Sequence, residues 1–324
     1  MAIFRCSKCA HLREVGSDYI GKAVKCPKCE QVNRVHDTLI FIKSLIHKHI
    51  ELSRELKGIR EVASDETYEN KLFSDIDIHN TNALSEARNL EPILQWFEGR
   101  NIQAHINPGA ADTTGFFDEI SLLMGNQFSV LNVVSNQIKY VQNKGYDNVK
   151  IDLSKKTRQE IQQITSFCKA LYDYSFVAKY FYDKKGGLVR LTLQKAAKVR
   201  DFFNGIWMEW FALIKLLELF SEHKIAPCCT RSLNISFSDG RSNELDLFVL
   251  TEKNIPICIE CKTGEFRQDI DKYLSLRKQL KLDKSQFVLC VFGLSDEQAL
   301  GMTSMYDLTF VSETSLASHI QTLL

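Results

Sequence analysis

The run Asn243-Glu244-Leu245-Asp246-Leu247-Phe248-Val249-Leu250 is followed, after a turn near residues 252–254, by Ile255-Pro256-Ile257-Cys258-Ile259-Glu260-Cys261-Lys262. Both runs read as strands. The second is apolar almost throughout, as in a strand buried on both faces. Glu260 and Lys262 interrupt it at its end, two residues apart, hence on one face and ~7 Å apart along the strand. In the first run Glu244 and Asp246 share a face, opposite Leu245, Leu247 and Val249. A hairpin between the runs brings Asp246 beside Glu260. Two neighbouring carboxylates repel, and one pKa rises unless a cation lies between them. Mg2+ suits such a place, being content with two carboxylates plus water and phosphate.

A third acid, Glu209, lies in Ile206-Trp207-Met208-Glu209-Trp210-Phe211-Ala212-Leu213-Ile214. On a helix its same-face neighbours are Phe202, Ile206, Ala212, Leu213 and Leu216, so a carboxylate projects from an apolar face and needs a partner. Glu218 and Lys215 share a more polar side. The alternative readings are a buried salt bridge in a scaffold for Glu260 and Lys262, and a hydrogen-bonded core acid for Glu209.

Outward from this core, strands are expected over 232–238, 244–250, 255–261, 286–292 and 307–311, with helices over 195–221 and 267–281 and a last helix at the end. Residues 83–181 read as mostly helical, and residues 188–193 as a strand. Residues 37–57 read as an amphipathic helix carrying His47 and His49, which do not face each other. Residues 61–82 read as an acidic linker.

The chain has 324 residues, 44% hydrophobic and 25% charged, which excludes collagen, a mostly disordered chain and a disulfide miniprotein. No apolar run reaches a membrane span, and MAIFRCSKC has no signal core, so a cytoplasmic location is expected. Net charge is +1, yet it is unevenly spread. Residues 1–36 carry seven Lys/Arg against three acids, and residues 179–200 carry seven against Asp183. Lys184, Lys185 and Arg190 flank Gly186-Gly187 and are candidates for gripping phosphate, or for keeping a hairpin tip soluble. Trp207, Trp210 and Phe211 read as core rather than as a base-stacking set.

At the N-terminus, Cys6-Ser7-Lys8-Cys9 and Cys26-Pro27-Lys28-Cys29 are separated by sixteen residues. Two such turns make a closed tetrahedral thiolate site that suits structural Zn2+. A unit of ~35 residues needs such a staple. The other six cysteines are scattered and read as small core residues, disulfides being foreign to a reducing compartment.

Residues 2–36 resemble the short bacterial zinc ribbons in Phe4-Arg5-Cys6, Gly21-Lys22, Val24-Lys25-Cys26-Pro27 and Val35. Those usually have Gly after each second cysteine, where Ala10 and Glu30 stand here. The resemblance implies a module that binds nucleic acid or protein. The order Glu209, Asp246, then Glu260-Cys261-Lys262 resembles the PD-(D/E)xK nuclease superfamily. Phe203-Asn204-Gly205, Trp207-Met208-Glu209, Asn243-Glu244-Leu245-Asp246 and Ile259-Glu260-Cys261-Lys262-Thr263-Gly264 resemble the nuclease domain of CRISPR-associated nucleases switched on by cyclic oligoadenylate. No CARF sensor domain is read in this sequence, so that activation is not carried over.

Periodicity and the two resemblances together predict a multidomain α+β chain. It would comprise a zinc ribbon (1–36), a helix and acidic linker (37–82), a mainly helical middle domain (83–194) and an α/β restriction-endonuclease-like domain (195–324). Asp246 and Glu260 would hold Mg2+ or Mn2+ against the scissile phosphate, and Lys262 would orient the attacking water. Glu209 would complete the metal shell or hold Lys262 in place. The expected activity is metal-dependent cleavage of DNA, RNA or both, in antiviral or anti-plasmid defence. The expected partners are the nucleic acid, a second copy of the chain, and a protein bound through the ribbon or the helix at 37–57. A nucleic-acid-binding scaffold with an inactive nuclease-like fold is the alternative.

Overall fold

The computed structural model describes residues 2–6, 8–9, 11–37, 87–107, 110, 116–225 and 228–324. The helix expected at 37–57 and the acidic stretch at 61–82 lie outside these residues. The chain forms two compact units, 1–72 and 73–324.

In the first unit, strands β1 (Ala2–Arg5), β2 (Leu12–Val15), β3 (Ala23–Lys25) and β4 (Val32–Asp37) form one antiparallel sheet in the order β2-β1-β4-β3. Among the described residues its buried apolar set is Ala2, Phe4, Cys6, Cys26 and Val35, a small core of the kind that a staple supports.

The second unit is mixed α+β. Helix α1 (Ala87–Glu98) and strand β5 (Ile102–His105) come first. Then follow α2 (Phe117–Asn126), α3 (Phe128–Asn143), β6 (Asn148–Asp152), α4 (Arg158–Asp173), β7 (Val177–Asp183) and β8 (Leu188–Leu193). Helix α5 (Ala197–Asp201) runs through a widened π-type turn at Phe202–Ile206 into α6 (Trp207–His223). The remainder is β9 (Cys229–Phe237), β10 (Ser242–Leu250), β11 (Pro256–Thr263), α7 (Ile270–Leu280), β12 (Phe287–Phe292), α8 (Asp296–Met305), β13 (Thr309–Val311) and α9 (Leu316–Gln321).

Six strands form a mixed sheet in the order β13-β12-β11-β10-β9-β5. β11, β12 and β13 run parallel, and the other neighbours antiparallel. One apolar cluster covers one face, from Ile120 and Leu131 through the α6 side chains to Ile320. A second covers the other face, built on Phe97, Phe248, Tyr273, Leu276 and Phe310.

The middle region differs from the helical expectation. β6, β8 and β7 form a three-stranded antiparallel sheet whose inner residues Val149, Ile151, Val189 and Leu191 join the first cluster. Asn148-Val149-Lys150-Ile151-Asp152 alternates with period two, which is a strand signal. Residues 87–105 also leave the middle region, since β5 pairs with β9 on the edge of the large sheet. Helix α8 was not expected. Its mark is the Ser295-x-x-Gln298 capping box. Among the described residues no helix is long and apolar enough to cross a membrane.

Helices α2 and α6 approach closely at Gly125, where an added Cβ would lie 2.1 Å from the Phe211 ring. Gly125→Ala is therefore expected to cost roughly 1–3 kcal/mol through overpacking. Gly301→Ala on α8, where a methyl meets nothing within 4 Å, is expected to add about 0.5–1 kcal/mol. Denaturant unfolding followed by tryptophan fluorescence separates the two; effects of the same sign would refute the packing argument.

Candidate functional site

The β10–β11 ladder pairs Leu250 with Pro256 and stops at Leu247 opposite Ile259. Beyond that point β10 continues against β9, and β11 against β12. The two strands part, and side-chain carboxylates fill the fork. Asp246 Oδ2 accepts the Cys261 N–H at 2.8 Å, and Glu260 Oε1 accepts the Asp246 N–H at 3.4 Å. Lys262 Nζ lies 3.5 Å from Asp246 Oδ2 and 3.6 Å from Glu260 Oε2. Above it stands the Tyr273 ring, 5.8 Å from the ammonium.

A local irregularity shapes this fork. Side chains two apart in a strand share a face. Yet on β10 Leu245 joins the second cluster while Leu247 and Val249 join the first. On β9 Cys229 belongs to the first cluster, and Leu233 and Ile235 to the second. Both strands change face at the neighbouring positions Ser232 and Asp246. Ser232 has φ of 53°, a left-handed conformation rare for a non-glycine residue in a strand. Leu245 therefore does not share a side with Leu247 and Val249, as strict alternation led one to expect.

Glu209 reaches the same region from α6. Its Oε2 accepts from Arg231 Nη1 at 2.8 Å and from Ser232 Oγ at 3.0 Å. Arg231 also donates from Nε to the Ala110 carbonyl at 2.8 Å and lies 4.5 Å from the Trp210 ring. Among the described residues Glu209 makes no ion pair with Lys262, so the role of holding that lysine falls to Asp246 and Glu260. Arg231 was not read from the sequence. Its signal was available: a guanidinium in one alternation with Leu233 and Ile235 needs a carboxylate as much as Glu209 needs a cation.

The charges are strongly coupled. Burial first, and the Asp246 charge second, raise the Glu260 carboxyl from 4.5 to about 8, against the pull of Lys262. Burial and Asp246 likewise raise Glu209 to about 7, against Arg231 and Ser232. Burial works against the Lys262 charge, but Asp246 and Glu260 overcome it and hold the ammonium well above its ordinary range. Asp246 thus acts on both Glu209 and Glu260, although these come from different elements. Lys184, Lys185 and Arg190 lie exposed on the β7–β8 hairpin and make no ion pair with the fork among the described residues.

In the first unit the four thiols of Cys6, Cys9, Cys26 and Cys29 lie within 4.8 Å of one another. Cys6 Sγ is 3.4 Å from Cys29 Sγ, and Cys9 Sγ is 3.6 Å from Cys26 Sγ. A tetrahedral Zn–S distance of about 2.3 Å implies sulfur edges of about 3.8 Å, so the cluster fits a structural zinc ion. Asn33 Nδ2 and the Lys28 N–H point at the sulfurs of Cys6 and Cys26. Burial alone would raise the Cys6 thiol, but the backbone N–H groups of Cys9 and Lys8, together with hydrogen bonds from the Cys29 and Cys9 thiols, bring it down to about 6. Glu30, standing where ribbons usually carry Gly, has φ of 59°.

No family model matches the chain, and no curated protein matches it. Among solved structures it is similar to protein VC1899 from Vibrio cholerae, with a TM-score of 0.49 and 16% identity, over 71% of this chain and 60% of that one. The chain thus spans about three fifths of VC1899.

Both raised carboxyls bind protons more tightly in the folded state than in the unfolded one. Folding takes up protons, so stability should fall as pH rises from 4.5 through about 7 to about 8. Denaturant titrations without divalent cation, read by tryptophan fluorescence, should show this fall, and Glu260→Gln should flatten it. A rise over that interval would contradict the assignment. In the first unit, Cys6→Ser should lose about one zinc per chain by atomic emission; an unchanged zinc content would exclude the four-thiolate site.

Proposed function

We propose that the chain is a divalent-metal-dependent nuclease of the PD-(D/E)xK kind, hydrolysing phosphodiester bonds in DNA, RNA or both. The observation that carries this reading is the fork, where Lys262 lies within 3.6 Å of both the Asp246 and the Glu260 carboxylates. Among the described residues no three acidic groups gather as the four thiols do. Mg2+ asks for less, since one or two carboxylates with water and substrate phosphate complete its octahedron. Asp246 and Glu260 offer that donor set.

A bound Mg2+ or Mn2+ would supply charge for the phosphoryl transition state and acidify a water. The chain's own groups do the rest. Asp246 and Glu260 would hold the ion, and Glu260 must give up its proton to do so, so metal affinity should rise with pH. Lys262 sits where its ammonium can orient a water or stabilise charge developing on phosphate. Arg231 and Ser232 hold Glu209 where it feels the Asp246 charge, and from there it would complete the metal shell. The ribbon would be a zinc-stapled recognition module, and cutting both strands of a duplex would call for two copies of the chain. Defence against invading nucleic acid fits these parts.

The test is incubation of the full chain with single- and double-stranded DNA and RNA plus Mg2+ or Mn2+. Glu260→Gln and Lys262→Ala should each lower cleavage by at least about a hundredfold without lowering the unfolding midpoint below working temperature. Activity unchanged in either variant would remove the fork from the chemistry. Binding without cleavage, on every substrate, would leave the scaffold reading in its place.

A further inference from the structure

The three-stranded sheet buries one face and leaves the other open. On the open face the register sets Lys150 beside Arg190 and Arg190 beside Phe181, one row across β6, β8 and β7. Neighbouring strands are ~4.8 Å apart, so these three side chains adjoin. The next row is Asn148, Thr192 and Lys179. Phe181 is 59% exposed, although Val189 and Leu191 on the same sheet are buried. The hairpin tip adds Lys184 and Lys185.

These five cations form no ion pair among the described residues. The two carboxylates on the face are engaged locally: Asp152 accepts the Ser154 N–H at 2.8 Å, and Asp183 the Gly186 N–H at 2.9 Å. The face therefore combines a bare aromatic ring with unpaired positive charge. A closed duplex offers phosphates but hides its base faces. A single strand offers both.

We propose that this open sheet face binds single-stranded nucleic acid, Phe181 stacking on a base while Lys150, Lys179 and Arg190 hold the flanking phosphates. The inference goes beyond the nuclease reading, because binding here needs no chemistry at the fork. The ligand class is a flexible polyanion with exposed bases, whether RNA or DNA.

The test uses the full chain carrying Asp246→Asn, without added Mg2+, and a labelled oligomer of about twelve uridines or thymidines. Phe181→Ala should weaken binding about tenfold, and Phe181→Trp should restore it. Arg190→Ala and Lys150→Ala should each lower the salt slope by about 0.7. Ultraviolet cross-linking should place the adduct on the peptide spanning residues 177–193. Adducts only elsewhere, or affinity indifferent to both Phe181→Ala and Arg190→Ala, would overturn the proposal. So would poly-glutamate binding as tightly and losing affinity with Arg190→Ala but not with Phe181→Ala, which would assign the face to an acidic protein. In the chain with native Asp246, Phe181→Ala should raise KM and spare kcat, whereas Glu260→Gln should abolish turnover and keep binding. The two readings therefore fail separately.

Discussion

The ammonium of Lys262 is what allows two carboxylates to stay inside the sheet. Glu260 is 3% exposed, and an isolated buried charge of that kind costs several kcal/mol. Placing the lysine within 3.6 Å of both acids offsets that cost only partly, which is why Glu260 still holds its proton far above the ordinary range. Arg231 does for Glu209 what Lys262 does for Glu260. Two ion pairs from opposite faces therefore meet at one opening between strands, and Asp246 is the group they share. This arrangement contributes little to stability by itself. Removing either cation would push the acid beside it still further toward its neutral, protonated form.

The opening exists because the ladder is imperfect. Regular pairing would continue β10 against β11 past Leu247 and fill the space with backbone hydrogen bonds. Instead the face changes at Ser232 and Asp246, and carboxylate oxygens take over the N–H groups of Asp246 and Cys261. Left-handed conformations outside glycine cost of order 1 kcal/mol and persist where the surroundings impose them. At Ser232 the compensation is visible, since its hydroxyl donates to Glu209.

The sequence was most legible where pattern and chemistry coincided. The four thiols and the strands carrying Asp246 and Glu260 followed from spacing and from continuous apolar runs. Arg231 escaped because a single basic residue among apolar neighbours looks like an edge position until the opposing acid is known. Of the β6–β8–β7 sheet only β8 was legible, and β6 and β7 escaped for another reason. Phe181 and Tyr182 side by side obscure the alternation of β7, and helices on either side weight the region toward helical spacing. Nor does periodicity reveal which strands pair at long range. That is why residues 102–105, read within a mostly helical region, turn out to be the edge strand β5 beside β9.

The pairing of Ile102 with Phe237 sets an order on biosynthesis. The edge strand leaves the ribosome early, and its neighbour emerges only after the whole β6–β8–β7 segment has been translated. Until then α1 and β5 have no sheet to join, and their apolar side chains, Phe97 among them, stay uncovered. Contacts this distant along the chain close slowly. A nascent chain of this protein thus carries an unmatched sheet edge through much of its synthesis, a state in which chaperones guard against aggregation.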